Sequence, residues 1–151
     1  MPNVTLNRSL SATPSQVWAV LADFPNIADW NEGVKASHST SDAVEGVGAT
    51  RHCDLAPLGA LEETVREWVP EQRLVVSIDK ASGLPIKHGD VTFTLGSGDA
   101  ETPFNLSYDF VANGGPIAPI MGALLKRQLT KGFTGFIDQL EVAAQQRSAT
   151  G

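Results

Sequence analysis

The sequence is poor in cysteine and in basic residues, and it has no long apolar run. Cys53 is the only cysteine among 151 residues, so no intrachain disulfide can form, which favours a reducing compartment. No apolar run approaches the roughly 18 residues of a membrane-spanning helix, and the N-terminus lacks a signal-peptide pattern. Eleven Lys and Arg against seventeen Asp and Glu leave a net charge of −6, which disfavours nucleic acid as a partner. We therefore expect a cytoplasmic protein without stable membrane insertion.

The rest of the composition is typical of a folded domain. Hydrophobic residues make up 42% of the chain and charged residues 19%, which is enough apolar material to build a core. A length of 151 residues is the usual size of one domain. We expect a single domain over residues 1–147, with residues 148–151 as a disordered tail. Outward-facing apolar residues such as Val75 leave the oligomeric state open between a monomer and a weak homodimer.

The first thirty residues predict one strand and two short helices. Residues 3–10 alternate between apolar and polar side chains and predict the strand. Thr13 followed by Pro14 is typical of a helix N-cap with proline at the first helical position, and apolar residues follow. Pro25 ends this helix, because proline cannot continue it. A second, short amphipathic turn is expected over residues 26–30.

The middle of the chain shows the pattern of an antiparallel meander. Its segments alternate between apolar and polar side chains and are separated by clusters of Gly, Pro, Asp and Ser. Each predicted strand therefore has one apolar face, which another element must cover. The strands are predicted near residues 34–40, 49–55, 60–69, 73–80, 88–95 and 104–112.

A long amphipathic helix, from about Ile120 to about Gln146, is predicted to cover that face. Its apolar residues recur at spacings of three and four. At about 1.5 Å per residue the helix is about 40 Å long, enough to cross a small sheet, so an α+β fold is expected. Gly132 and Gly135 lie inside it and each cost about 1 kcal/mol relative to alanine. They either leave a hollow facing the sheet or allow close contact between helix and sheet.

Three segments, residues 12–30, 47–51 and 63–70, resemble the START-related superfamily, also called SRPBCC. This superfamily includes the polyketide cyclase/dehydrase and lipid-transport group and the birch-pollen-allergen-like proteins. The resemblance implies a helix-grip fold: a curved antiparallel sheet of about seven strands, two short helices after the first strand, and a long C-terminal helix across the sheet. It also implies a cavity between sheet and helix for a lipid, a polyketide or another small hydrophobic molecule.

The alternation along the predicted strands and the apolar stripe of the long helix give the residues that would face this cavity. By strand alternation alone, the inward-facing set also includes Ala36, Leu55, Glu67, Val76, Ile78, Val91, Leu95 and Leu106. A slip of one residue in a strand would turn its set outward. The candidate ligand-binding residues are Trp30, Val34, Arg51, Cys53, Glu63, Val65, Phe93, Tyr108, Phe110, Met121, Leu125 and Phe136.

Two charged residues on the apolar face, Arg51 and Glu63, are the principal candidates for polar chemistry. A buried charge is costly unless it is paired, so we expect the two to pair across neighbouring strands. They serve as an anchor for a polar group of the ligand, as a structural ion pair, or as residues at the rim of the cavity. The hydroxyl of Tyr108 needs a partner, which a ligand carbonyl, a glutamate or a neighbour in the core would supply. Trp30 is either part of the cavity wall or a hydrophobic plug.

The remaining chemistry-bearing residues do not form a recognisable site. His38, His52 and His88 lack the spacing of metal ligands, so we expect no metal and no cofactor. By strand alternation His52 points away from Arg51 and is expected in solvent. Cys53 is interpreted as a small buried residue rather than a nucleophile. No catalytic residue can be assigned from the sequence.

Three functions remain open at this point. The first is binding, with possible transport, of a small hydrophobic molecule. The second is a polyketide cyclase/dehydrase-like enzyme in which Glu63, Arg51 or Tyr108 handles proton transfer or enolate stabilisation. The third is a role through protein partners, as in ribosome-associated or respiratory-chain-associated relatives. The small basic cluster Lys126, Arg127 and Lys131 is typical of a solvated helix face. Gly89, where relatives often carry a larger side chain, either enlarges the cavity or relaxes its strand.

Overall fold

The structure, a computed structural model, describes residues 3–112 and 115–147. Seven antiparallel strands form one sheet in the order β1-β7-β6-β5-β4-β3-β2. The long helix α2, Ala118–Arg147, follows a short 3₁₀ turn at Gly115–Ile117. The helix α1, Pro14–Ala22, follows the first strand and is followed by a 3₁₀ helix at Phe24–Asp29. The strands are β1 Asn3–Leu10, β2 Val34–Ser39, β3 Thr50–Leu55, β4 Ala60–Val69, β5 Arg73–Ser82, β6 Ile86–Leu95 and β7 Thr102–Ala112.

This arrangement confirms the predicted helix-grip fold. The two short helices lie where they were expected, although Pro25 is inside the second one rather than between them, since proline is tolerated in a first helical turn. The helix α2 begins at Ala118, two residues before the predicted start. None of the helices in the described ranges has the length and apolar character needed to cross a bilayer. The predicted tail at residues 148–151 lies outside the described residues.

A capping box fixes the start of α1. The Gln16 backbone N–H donates to Thr13 Oγ1 at 3.2 Å, and the Thr13 N–H donates to Gln16 Oε1 at 2.7 Å. Pro14 occupies the first helical position, where its missing N–H costs nothing. The buried side of α1 carries Val17 and Trp18, so the cap directs an apolar face onto the sheet.

Two β-bulges make the predicted facing wrong at two positions. An extra residue at Lys35 turns Ala36 outward, where it is exposed instead of facing the helix. An extra residue at Arg66 places Glu67 on the outer face, where its carboxylate accepts a hydrogen bond from Arg73 at 3.0 Å. Strand alternation cannot anticipate a bulge, because one added residue reverses every side chain beyond it.

The core fills one end of the space between sheet and helix. Trp18 of α1 and Trp68 of β4 pack edge to face there, with ring centroids 5.2 Å apart. In the C-terminal half of α2, Ile137 and Leu140 are fully buried. Between the middle of α2 and strands β2 to β6 the space is not filled.

Candidate functional site

A cavity of about 260 Å³ lies between α2 and strands β2 to β6. Its wall is mostly apolar and includes Leu55, Val76, Ile78 and Val91 from the strands. Gly33, Gln128 and Gly132 also border it and are exposed, so the cavity opens to solvent between the start of β2 and α2. Six of the candidate ligand-binding residues lie on this wall: Val34, Arg51, Cys53, Glu63, Phe93 and Phe136.

Arg51 and Glu63 form the polar part of the wall. The two residues are directly opposite each other on β3 and β4, and each is 7% exposed. Arg51 Nε donates to Glu63 Oε1 at 3.1 Å, and its Nη2 lies 3.5 Å from Oε2. Arg51 Nη1 donates to the Phe24 carbonyl at 2.8 Å, while the guanidinium carbon lies 3.9 Å from the Phe24 ring centre. The expected ion pair is therefore present, and the wall holds it in place.

Cys53 completes this polar group. Its thiol donates to Glu63 Oε1 at 3.3 Å and is 1% exposed. Burial, together with the charge of the Glu63 carboxylate, raises the pKa of Cys53 to about 12. The sulfur therefore stays a neutral donor at physiological pH, as expected of a small buried residue. Glu63 Oε1 accepts two bonds, whereas Oε2 has only the long contact to Arg51 among the described residues.

Three aromatic rings close the inner end of the cavity. Phe93 and Phe136 stack with centroids 5.6 Å apart, and both line the wall. Trp30 packs edge-on against Phe136 at 5.1 Å from outside the wall, so its position is that of a plug. Its indole Nε1 is buried and has no hydrogen-bond partner among residues 3–112 and 115–147.

Five other candidate residues lie outside the wall. Val65 is fully buried on β4, and Met121 and Leu125 of α2 pack against the main core. Tyr108 and Phe110 stack with centroids 5.3 Å apart and belong to the same core. The structure therefore separates the predicted set into a group around the Arg51–Glu63 pair and a group that packs the interior.

The space next to Gly89 is occupied by Tyr108. A β-carbon at position 89 would lie 2.6 Å from Tyr108 Cε1 and 2.9 Å from its hydroxyl oxygen. The missing side chain therefore makes room for this ring and adds nothing to the cavity. The Tyr108 hydroxyl is buried without a partner in the described part of the chain, and burial raises its pKa.

The two helix glycines have different surroundings. A β-carbon at Gly132 or Gly135 would meet nothing within 4 Å, so neither allows a close contact between helix and sheet. Gly132 borders the cavity, whereas Gly135 does not. The interpretation as a hollow therefore holds for Gly132 alone.

The prediction missed several wall residues. Leu61 lies two residues before Glu63 on the same strand, so strand alternation contained the signal that would have included it. Asn31 lies in the loop before β2, where no periodic pattern exists, and its Oδ1 accepts from the Gly33 N–H at 2.9 Å. Gln128 precedes Gly132 by one helical turn and looks like a surface residue in the sequence.

His52 lies on the outer face of the sheet, opposite to the cavity. It is half-buried rather than fully in solvent, because its ring lies between two carboxylates. Nε2 contacts Asp54 Oδ1 at 2.8 Å, and Nδ1 contacts the Glu62 carboxylate. These contacts, the one to Glu62 first, raise the pKa of His52. In the described ranges no three His, Cys, Asp or Glu side chains are arranged to hold a metal ion.

A sequence model of one family matches residues 1–145, almost the whole chain. Its description is polyketide cyclase/dehydrase and lipid transport. The chain belongs to this family. No curated protein sequence matches it significantly.

Three solved structures superimpose on nearly the full length of this chain. TTHA0849 from Thermus thermophilus has a TM-score of 0.80 at 14% identity, covering 97% of this chain and 99% of that one. The Zhui aromatase/cyclase from a Streptomyces species has a TM-score of 0.80 at 17% identity, covering 97% and 94%. A START superfamily protein from Mycobacterium smegmatis has a TM-score of 0.80 at 13% identity, covering 95% and 97%. At these identities the likeness shows the fold alone.

Proposed function

We propose that this family member binds a small, largely hydrophobic molecule in the cavity beneath α2. The observation that carries the proposal is an open space of about 260 Å³ whose apolar wall includes one buried polar group. Pockets for small molecules have this composition: apolar surface for affinity and a few placed polar atoms for orientation. The volume is slightly below the range of about 300–1,000 Å³ for drug-sized ligands, which favours a small occupant.

The buried polar group around Glu63 also indicates which kind of polar atom the ligand carries. Glu63 Oε2 has the capacity to accept a further hydrogen bond, because its single contact in the described part of the chain is 3.5 Å long. An apolar molecule that carries a hydroxyl or N–H group would supply that bond. The ligand would therefore lie with its polar end at Glu63 and its apolar body between Val91, Phe93 and the helix. The family description, which includes lipids and polyketides, supports this class of ligand.

Native mass spectrometry of the freshly purified protein tests the proposal first. A reproducible extra mass that is lost on denaturation would be a ligand carried from the expression host, and its mass identifies the class. A clean mass is followed by titration with a panel of fatty acids, sterols and hydroxylated aromatic compounds, with saturable binding expected. No saturable binding of any compound would refute the proposal.

A pair of glycine variants separates binding in this cavity from binding elsewhere. Gly132→Leu places a side chain at the cavity border, while Gly135→Leu places the same side chain on the same helix away from it. We expect Gly132→Leu to weaken binding at least tenfold and Gly135→Leu to leave it unchanged. Equal effects of the two variants would show that the bound molecule lies elsewhere.

A cyclase or dehydrase activity in the same cavity is the second candidate. It is favoured by the accessible carboxylate oxygen of Glu63, which can accept a proton from a bound polyketide while Arg51 stabilises the resulting enolate. The aromatase/cyclase among the similar structures supports it. Tyr108 is a weaker candidate for this chemistry, because its hydroxyl is outside the wall.

Turnover of a poly-β-ketone substrate by the purified protein tests this activity. Loss of turnover in Glu63→Gln with substrate binding retained would support it. No turnover by the unmodified protein, or unchanged turnover in the variant, would leave binding as the function.

A further inference from the structure

The charge of this protein is divided very unevenly along the chain. Residues 110–137 contain three basic residues, Lys126, Arg127 and Lys131, and no Asp or Glu. This segment carries +3 in a chain whose net charge is −6, so the rest of the chain carries −9. An asymmetry of this kind indicates a surface that meets an anionic partner.

The three basic side chains are exposed and make no ion pair with any residue in the described ranges. Arg127 differs in this from the other arginines, each of which has a carboxylate partner. Those arginines are Arg8, Arg51, Arg66, Arg73 and Arg147. The positive charge at the start of α2 is therefore not neutralised within the described part of the protein.

Exposed apolar residues lie beside these cations. Ile117 is 54% exposed, Ile120 64% and Leu124 56%. Ile120, Leu124, Arg127 and Lys131 are spaced by four, three and four residues, so they form one outward row about 16 Å long on α2. Exposed apolar residues beside cations are features of a helix that lies in the surface of a bilayer.

We propose that the first half of α2 docks on the surface of an anionic lipid bilayer. Ile117, Ile120 and Leu124 would enter the boundary between headgroups and acyl chains, and Arg127 and Lys131 would contact anionic headgroups. The same helical turns border the cavity through Gln128, Leu129 and Gly132, so docking places the cavity mouth beside the bilayer. The docking does not depend on what the cavity binds.

A bilayer fits this surface better than the other partners do. Two copies joined through this row would bring four cations together, Arg127 and Lys131 of each copy, with no carboxylate from residues 110–137 to compensate them, which is unfavourable. Nucleic acid offers no apolar boundary for the exposed isoleucine and leucine side chains, whereas a bilayer does. A convex helix with apolar and basic residues in one row matches a flat anionic apolar boundary.

Vesicle flotation with the full chain tests the proposal. The vesicles are phosphatidylcholine alone, and phosphatidylcholine with about 30% phosphatidylglycerol, at low salt. We expect binding to the anionic vesicles, much weaker binding to phosphatidylcholine, and loss of binding as salt is raised. The double variant Arg127→Gln/Lys131→Gln should weaken binding about 25-fold, at about fivefold per cation. Leu124→Ser should weaken it about tenfold.

Two matched controls accompany these variants. Val142→Ser removes an apolar side chain that is 54% exposed on the same helix, in a segment that also carries Asp138 and Glu141. Lys87→Gln removes an exposed cation from β6. Both controls should bind like the unmodified protein, and unchanged circular dichroism should show that every variant is folded.

Three results would overturn the proposal. They are equal binding to both kinds of vesicle, equal loss in test variants and controls, and absence of vesicle binding. The elution volume in size-exclusion chromatography gives one more outcome. If the unmodified protein elutes as a dimer and Leu124→Ser elutes as a monomer, the row is instead an interface between copies.

Discussion

The ring of Tyr108 lies across Gly89 of the neighbouring strand, in the space that any other side chain at position 89 would need. A β-carbon there would also lie 2.6 Å from the carbonyl oxygen of Asp109, which is backbone and cannot turn away. Gly89→Ala is therefore expected to lower the free energy of unfolding by about 1–3 kcal/mol. Urea denaturation measures this change.

The control for this substitution is Gly132→Ala. Its new β-carbon would meet nothing within 4 Å, and alanine is the better helix former, so a gain of up to about 1 kcal/mol is expected. A Gly89→Ala variant as stable as the unmodified protein would show that the ring and the strand can move apart at little cost.

The hydroxyl of Tyr108 is expected to reduce stability in the ligand-free protein. It is buried, and none of the described residues accepts or donates a hydrogen bond to it. A buried polar group without a partner costs about 1–3 kcal/mol, so Tyr108→Phe should raise the free energy of unfolding by about 1 kcal/mol. Thermal and urea unfolding measure the effect. A loss of stability in this variant would mean that the hydroxyl has a partner after all.

The buried pair of Arg51 and Glu63 is expected to be strongly coupled. Among the described residues Glu63 is the only one whose carboxylate contacts the buried guanidinium, so Glu63→Ala should cost about 3–5 kcal/mol. The double variant Arg51→Met/Glu63→Leu removes both charges and should cost less than Glu63→Ala alone. The costs of Arg51→Met and Glu63→Leu, measured singly, should not add up to the cost of the double variant. If they do add up, the two residues are not coupled.

His52 is expected to make stability depend on pH in the neutral range. Its hydrogen bonds to Glu62 and then Asp54 raise its pKa above 6.5 in the folded state. The resulting stabilisation is fully present below the unfolded pKa and is lost as pH rises through the higher folded pKa. The difference in Tm between the unmodified protein and His52→Gln should therefore be largest below pH 6.5 and shrink as the pH is raised above it.

The difference in Tm between the unmodified protein and His52→Gln should be smaller at high salt, because His52 and its two carboxylates are partly in solvent. Asp54→Asn and Glu62→Gln should each reduce it, since each removes one of the two carboxylates. A Tm difference that stays constant over this pH range would show that the carboxylates do not favour the protonated ring.

Local sequence determined the elements of this fold. The alternation along residues 88–95 and the spacing of Leu129, Phe133 and Phe136 fix one apolar face on each element, because the repeat of a strand or a helix is a property of its own backbone. Thr13 and Pro14 likewise determine where α1 begins, since capping involves residues that are neighbours in the sequence. The pairing of Arg51 with Glu63 also followed from the short hairpin between their strands.

Tertiary structure decided which of these faces enclose a cavity. The bulges at Lys35 and Arg66 arise where two strands adjust to each other, so no single strand reveals that Ala36 and Glu67 face outward. The sequence marks Gly89 and Gly132 equally as missing side chains, yet a ring fills the space at one and solvent reaches the other. Whether a missing side chain leaves a hollow depends on distant residues, because packing is decided by what the whole chain brings to that point.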